Sequence, residues 1–170
     1  ARKQRKSTGK NVSPKGRPVD DGTYIKAMEH LEDADELATD LTKPGSDVGS
    51  SLVEPSDSDL ITDYFFHIMK QLVVCRFAEK DRKTRGGKRE NINIGYGGLQ
   101  CRHCINASSS RKFFWSNVDR LANSFAEIPT PVLKCRSNPD DIKDALLVLK
   151  GRHAEQMQSL ARRSQKVFFR

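Results

Sequence analysis

The sequence predicts an α+β fold, in which a small β-hairpin with a zinc knuckle packs with about four helices. Three patterns lead to this prediction. Apolar residues recur at helical spacing over residues 60–75, which predicts a helix of about five turns. Residues 92–94 alternate in polarity ahead of a Gly pair and the turn Cys-Arg-His-Cys at 101–104, which predicts a short strand and a tight turn. Asn-Pro-Asp-Asp at 138–141 predicts the start of another helix, with Asn as its cap.

The composition predicts that only part of the chain is ordered. Of the 170 residues, 36% are hydrophobic and 31% are charged, which is too little apolar surface for a core along the whole length. The net charge of +8 is unevenly placed, because residues 1–20 carry seven Lys/Arg and one Asp whereas residues 21–60 carry two Lys and eleven Asp/Glu. Residues 61–170 are basic again. Such blocks are typical of nuclear chains that face nucleic acid, although solubilising tails give the same pattern.

These shifts in composition divide the chain into four segments. We expect a disordered basic arm at 1–22, an acidic amphipathic helix at 23–42, a linker at 43–58, and a zinc-finger-like α+β domain at 59–170. Thr23 is the expected cap of the acidic helix. No run of about 18 apolar residues occurs, so we expect no membrane partner.

Caps and helix breakers predict the remaining elements of the domain. The aromatic run at 111–115 suits a second strand, and Ser116 begins a helix that ends at Pro129. The helix that starts at Asn138 is expected to stop at Gly151, with one more short helix over 154–161.

Three cysteines form the strongest chemical signal in the chain. The tight turn brings the thiolates of Cys101 and Cys104 to one side, which is the arrangement of a zinc knuckle, and Cys135 follows beyond the second strand and a helix. If the three share one Zn²⁺, their sulfur atoms must lie within about 4 Å of one another. Redox chemistry is the rival interpretation of the pair, but it favours a helix N-terminus, and here a strand and glycines precede Cys101.

The fourth ligand stays open at this point. Cys75 is one candidate, although it also fits the buried face of the helix predicted over 60–75. The weaker candidates are histidines, namely His67, His103 and His153. His103 lies inside the knuckle, where a side chain normally points away from the metal. Either Cys75 or a water completes the site, or the site is weakened or empty and the hairpin is held by packing alone.

The body of the chain resembles a family of diatom proteins of unassigned function. The segments that carry the resemblance are DYFFHIMKQL, CRFAEKDRKTRGGKR, IGYGGLQCRHC, RKFFWSNVDRLANSFAEIP, KCRSNPDDIKDALLVLK and SQKVFF, which together span roughly two-thirds of the chain. The resemblance implies a Cys-Cys-His-Cys zinc-finger-like module. The family places a His four residues before the third Cys and often a Cys three residues after it. Pro131 and Asn138 stand at those positions here, so the chain departs from the family at the fourth ligand.

A second motif lies in the basic arm. Residues 14–18, Pro-Lys-Gly-Arg-Pro, resemble the core of an AT-hook, in which Arg17 would enter a narrow AT-rich minor groove and Pro18 would keep the chain extended. Lys15 stands where an AT-hook usually has Arg. A nuclear-import signal or a plain basic tail would have the same composition.

A third signal combines basic and aromatic residues, as many nucleic-acid surfaces do. Its basic members are Lys80, Arg82, Lys83, Arg85, Lys88, Arg89, Arg111 and Lys112. Phe113, Phe114 and Trp115 follow directly, and for at least two of these rings we expect a place in the core of the domain instead.

The sequence contains no enzyme signature: it has no P-loop, no Gly-x-Ser-x-Gly elbow and no His-Glu-x-x-His. The patterns together predict a nuclear, non-catalytic nucleic-acid-binding protein, with DNA as the expected partner and zinc as the expected cofactor. No small-molecule substrate is expected. The alternative is a protein–protein interaction module of a nuclear complex, in which the acidic helix at 23–41 or the helix at 60–76 recruits a partner protein.

Overall fold

The computed structural model describes residues 19–36, 51–82, 91–105, 107, 110, 112–117, 120–121, 127–161 and 164–168. Its α-helices are α1 (Asp21–Glu36), α2 (Asp63–Lys70), α3 (Pro129–Leu133), α4 (Asp140–Ser159) and α5 (Ser164–Phe168). Its strands are β1 (Leu72–Arg76), β2 (Gly97–Cys101) and β3 (Lys112–Phe113). Three short 3₁₀ helices cover Pro55–Asp59, Glu79–Asp81 and Arg102–Cys104. The predicted α+β class is confirmed. Residues 1–18 of the basic arm, which was expected to be disordered, lie outside the described residues.

The strands form one antiparallel sheet in the order β1-β2-β3. In the register of β1 and β2, Leu72 lies opposite Cys101, so the end of β2 that leads into the knuckle is held beside the end of α2. β3 approaches the middle of β2 so closely that a Cβ atom at Gly98 would lie 2.4 Å from the carbonyl oxygen of Phe113. Only glycine leaves room for this approach.

The prediction of a single helix over 60–75 is wrong for the second half of that range. α2 begins after Thr62, whose side chain caps it, and it ends at Lys70. Residues 72–76 then form β1. The run Leu-Val-Val-Cys is apolar and rich in β-branched residues, so it fits a buried strand as well as a helix, and pairing with β2 decides between them.

The strand predicted at Ile92–Ile94 is also wrong, because the strand begins later, at Gly97. Gly95 has φ +85°, which breaks the extended conformation before β2, and Ile94 is 66% exposed. The strand predicted at 111–115 is confirmed in a shorter form as β3. Most of the helix predicted from Ser116 lies outside the described residues, and Pro129 begins α3 at the point where that helix was expected to end.

One hydrophobic core joins α1 to the rest of the fold. Leu31 of α1 is 0% exposed and belongs to the same buried cluster as Leu146 and Leu149 of α4. α1 starts two residues earlier than the sequence pattern predicts, and its cap is Asp20 instead of Thr23, because Asp20 Oδ1 accepts the Thr23 N–H at 2.9 Å. The acidic helix is therefore part of the body and does not stand apart from it.

Two further boundaries differ from the predictions. Val53, in the expected linker, is buried in the core, and a 3₁₀ helix at Pro55–Asp59 follows it. α4 continues through Gly151 to Ser159, so the helix expected over 154–161 is its second half. The two aspartates at 140 and 141 do lie in its first turn. No helix in the described part of the chain is both long enough and apolar enough to cross a bilayer.

Candidate metal centre

The structure brings three of the four cysteines together. Cys101 ends β2, Cys104 ends the 3₁₀ turn that follows, and Cys135 lies just after α3. Their sulfur atoms all lie within 4.8 Å of one another, although thirty residues separate Cys104 from Cys135. Cys101 and Cys104 are buried, Cys135 is half-buried, and none of the four cysteines forms a disulfide.

The two segments of the cluster have the same local geometry. The backbone N–H of His103 donates to the sulfur of Cys101, and the N–H of Ser137 donates to the sulfur of Cys135. In each case the donor lies two residues after the cysteine, as in the turns of a zinc knuckle. The Asn138 N–H donates to the carbonyl oxygen of Cys135 at 3.3 Å and closes the second turn, and the Cys104 thiol contacts the carbonyl oxygen of Cys101 at 3.6 Å.

The two residues inside the first turn anchor it to the helices. Arg102 Nη1 donates to Asp35 Oδ1 of α1 at 2.7 Å and to the carbonyl oxygen of Lys70 at 3.0 Å. His103 Nε2 bonds to Gln71 Oε1 at 2.7 Å. Because these side chains are held by α1 and by the end of α2, the thiols of the turn face the opposite way. His103 therefore points away from the sulfur cluster, as its place in the knuckle predicts.

Cys101 and Cys135 have unlike affinities for protons. Burial and the neighbouring Cys104 raise the pKa of Cys101. Burial also acts to raise the pKa of Cys135, but hydrogen bonds from the Ser137 N–H and the Cys101 thiol lower it overall. Of these two thiols, Cys135 thus loses its proton more readily. The pKa of His103 falls to about 4, first through burial and then through Arg102, so its ring is neutral at pH 7.

Zinc fits this donor set. Thiolates are ligands that Zn²⁺ prefers, and tetrahedral Zn–S bonds of about 2.3 Å place sulfur atoms about 3.8 Å apart. The observed sulfur atoms, within 4.8 Å of one another, need to move by no more than about 1 Å to reach that spacing. Zn²⁺ held by Cys101, Cys104 and Cys135 would link the end of β2 to the loop before α4.

The other proposed ligands lie elsewhere. Cys75 was considered as a fourth ligand, but it is buried in β1 opposite Gly98, three positions along the strand from the Leu72–Cys101 pair. At roughly 3.3 Å per residue, this places it about 10 Å from Cys101. It is not a member of the cluster.

Two of the candidate histidines have places in the helical core. His67 is fully buried on α2, where burial and then Lys70 lower its pKa to about 4. His153 bonds through Nδ1 to the hydroxyl of Thr62 at 2.9 Å and packs against the ring of Phe65. Both rings therefore contribute to packing, and the bond from His153 also holds Thr62, the capping residue of α2.

Of the predicted nucleic-acid contacts, the structure describes Lys80, Arg82 and Lys112. Lys80 is exposed, and the other two are engaged within the fold. Lys112 pairs with Asp81 at 2.9 Å, with side chains 11% and 8% exposed. Arg82 pairs with Glu79 at 3.0 Å and lies over the ring of Phe77. Because Lys112 is largely enclosed in this ion pair, its place in the fold favours a structural role over a phosphate contact. Lys15, Arg17, Lys83, Arg85, Lys88, Arg89 and Arg111 lie outside the described residues.

The aromatic residues beside β3 pack mainly inward. The ring of Phe114 meets that of buried Phe77 edge-on at 5.1 Å, and Trp115 packs against the main core. Phe113 stacks on Trp115 with ring centroids 5.6 Å apart. This matches the expectation that at least two of the three rings serve the core.

Several functional contacts could not be found from the sequence. The bonds from Arg102 to Asp35 and from His103 to Gln71 join residues far apart in the chain, and no local pattern marks them. Asn138 was assigned as a helix cap, but its side chain makes no cap bond to α4 and donates instead to the carbonyl oxygen of Val132 at 3.2 Å. The one available signal was its place three residues after Cys135, which repeats the spacing of Cys101 and Cys104.

No protein-family model, no curated protein and no solved structure matches this chain.

Proposed function

We propose that this chain is a non-catalytic, zinc-stabilised protein that binds nucleic acid, with DNA in the nucleus as its partner. The observation that carries the zinc part is the convergence of three cysteine sulfurs from distant parts of the chain. The nucleic-acid part rests on charge, above all on the seven Lys/Arg and one Asp of residues 1–20. The resemblance to the diatom family agrees with the zinc part, and membership of that family is part of the proposal.

The zinc ion would act as a structural link. The sheet has one two-residue strand, and the loop that carries Cys135 is distant in sequence from the Cys101 turn. A metal shared by the two segments adds binding free energy directly to folding. The chain's own residues prepare the site, because Arg102 and His103 fix the first turn before any metal binds.

The charge network of the body indicates which cations would meet phosphate. Arg82, Arg102 and Lys112 are all held in ion pairs within the described part of the fold. Phosphate contacts are therefore assigned to the basic arm at 1–22, to residues 83–89, and to Lys80 and Arg111. These positions carry the lysines and arginines that remain from the predicted set.

The experiment that tests the DNA part compares duplexes of different composition. Arg17→Ala should weaken binding to an AT-rich duplex at least about tenfold more than binding to a GC-rich duplex, because AT tracts have the narrower minor groove. Arg5→Ala is the matched control: as a phosphate contact it should weaken both duplexes equally and reduce the salt dependence by about one counterion. Equal losses for both variants on both duplexes would reject the minor-groove role of Arg17.

The second candidate function, a protein–protein interaction module, has weaker support than the sequence suggests. The apolar faces of α1 and of residues 60–76, which were expected to recruit a partner, are packed into the core. What favours this candidate is the exposed apolar surface elsewhere, such as Ile94 at 66% and Leu147. If the chain binds neither duplex even at low salt, the protein–protein interaction module is favoured over the DNA proposal.

A further inference from the structure

We propose that Asn138 completes the metal site, so that its side-chain oxygen Oδ1 binds the ion together with the sulfurs of Cys101, Cys104 and Cys135. The site then takes one Zn²⁺ with three thiolate ligands and one carboxamide ligand. This inference rests on the zinc binding proposed above and names its missing ligand.

The first argument is the repetition of one turn. Cys101-Arg-His-Cys104 and Cys135-Arg-Ser-Asn138 both begin with a cysteine whose sulfur accepts the N–H two residues later. The fourth residue of the first turn supplies the second thiol of the cluster. Asn138 holds the corresponding position in the second turn, and its backbone N–H donates to the carbonyl oxygen of Cys135 at 3.3 Å, which holds Asn138 beside that cysteine.

The second argument is the state of the Asn138 side chain. It is 1% exposed, and its Nδ2 donates to the carbonyl oxygen of Val132 at 3.2 Å. This bond fixes which end of the amide is oxygen, because a carbonyl group accepts only from the NH₂ end. Within the described part of the chain, Oδ1 accepts no hydrogen bond. An unsatisfied buried acceptor costs about 1–3 kcal/mol, and binding a cation would remove that cost.

The third argument comes from the competing ligands. Among the described residues, no other His, Cys, Asp or Glu belongs to the sulfur cluster. Two of the three thiols and the Asn138 amide are buried and Cys135 is half-buried, so the candidate ligands are largely shielded from bulk water, as in structural zinc sites. A neutral oxygen in place of a fourth thiolate leaves the Zn²⁺ complex with a charge of −1 instead of −2, so the metal should bind more weakly than in a site of four cysteines.

The experiment is a zinc titration of the full chain combined with X-ray absorption at the zinc edge. The variants are Asn138→Cys, Asn138→Ala and the control Asn93→Cys. Asn93 is exposed in the turn before β2, at the end of that strand away from Cys101, so a cysteine there lies far from the site.

The wild type should show three sulfurs at about 2.3 Å and one lighter ligand at about 2.0–2.2 Å. Asn138→Cys should show four sulfurs and bind zinc at least about tenfold more tightly, whereas Asn93→Cys should match the wild type. Asn138→Ala should lose at least about tenfold in affinity. If that variant fails to fold, the sulfur count in Asn138→Cys still decides.

Two different failures can be told apart. Three sulfurs in both the wild type and Asn138→Cys, or unchanged affinity in a folded Asn138→Ala, would overturn the role of Asn138 and leave zinc binding intact. A wild-type chain that takes up no zinc would overturn the proposed zinc site together with this inference.

Discussion

Replacing Lys112 by methionine tests whether this residue stabilises the fold or contacts nucleic acid. Its ammonium group pairs with the Asp81 carboxylate at 2.9 Å, and both side chains are largely buried. Burial acts to raise the pKa of Asp81, but the hydrogen bonds from Lys112 and from the Ala78 N–H lower it overall. In Lys112→Met the carboxylate would stay buried and would lose the cation with which it forms the 2.9 Å ion pair.

The expected loss follows from this geometry. Removing one partner of a buried ion pair costs about 3–5 kcal/mol in the free energy of unfolding. Asp81 keeps the bond from the Ala78 N–H at 2.9 Å and is slightly exposed, so we expect about 2–4 kcal/mol. For a urea m-value of about 2 kcal/mol/M, the midpoint of unfolding should fall by roughly 1–2 M.

The assay is urea unfolding at pH 7 with two companion variants. Lys80→Met removes an exposed charge on the same 3₁₀ helix, which contributes less than Lys112 to the lowered pKa of Asp81, and should cost less than about 1 kcal/mol. Asp81→Asn combined with Lys112→Met should recover part of the loss, because no charge is then left unpaired. An unchanged midpoint in Lys112→Met, together with weaker binding to duplex DNA, would refute this reasoning and return Lys112 to the nucleic-acid surface.

Two further predictions concern the helical core. Leu31→Ala should lower the free energy of unfolding by about 3 kcal/mol, because Leu31 is fully buried. The control Ile25→Ala, on the exposed face of α1, should lower it by less than about 1 kcal/mol. If urea unfolding shows equally small effects for both variants, α1 stands apart from the core. His67 has a folded-state pKa of about 4, lowered by burial and then by Lys70, so the unfolded chain takes up its proton first, near pH 6.5, and stability falls as the pH drops toward 4. When the pH falls from 7 to 5, His67 should lower the free energy of unfolding by about 2 kcal/mol, and this contribution should be missing in His67→Gln. Identical dependence of stability on pH in the wild type and in His67→Gln would contradict that assignment.

The sequence predicted the α+β class and the three metal-ligand candidates because these depend on short patterns. A Cys-x-x-Cys turn is local, and the glycines before it are needed where β3 approaches Gly98. The end of α2 was missed for a physical reason. Leu72-Val-Val-Cys75 is apolar on every face, and such a run becomes a strand or a helix according to the partner it finds.

Long-range pairing accounts for the other misses. The pattern of α1 indicated an amphipathic helix with an acidic face, and nothing in it showed that Asp35 would pair with Arg102 of the knuckle. Asn138 before Pro139 has the sequence of a helix cap, and only the buried bond to Val132 shows that its side chain points elsewhere. In both cases the deciding partner is specified by the tertiary fold and not by neighbouring residues.

The measurement that tests the central claim most directly is the zinc content of the folded chain, by native mass spectrometry with and without a chelator. The account predicts one zinc per chain, its loss on chelation or in Cys101→Ser together with a clear drop in thermal stability, and full occupancy in Cys75→Ser. A folded chain that holds no zinc, and whose stability is the same with chelator as without it, would contradict the claim that Cys101, Cys104 and Cys135 form a metal site.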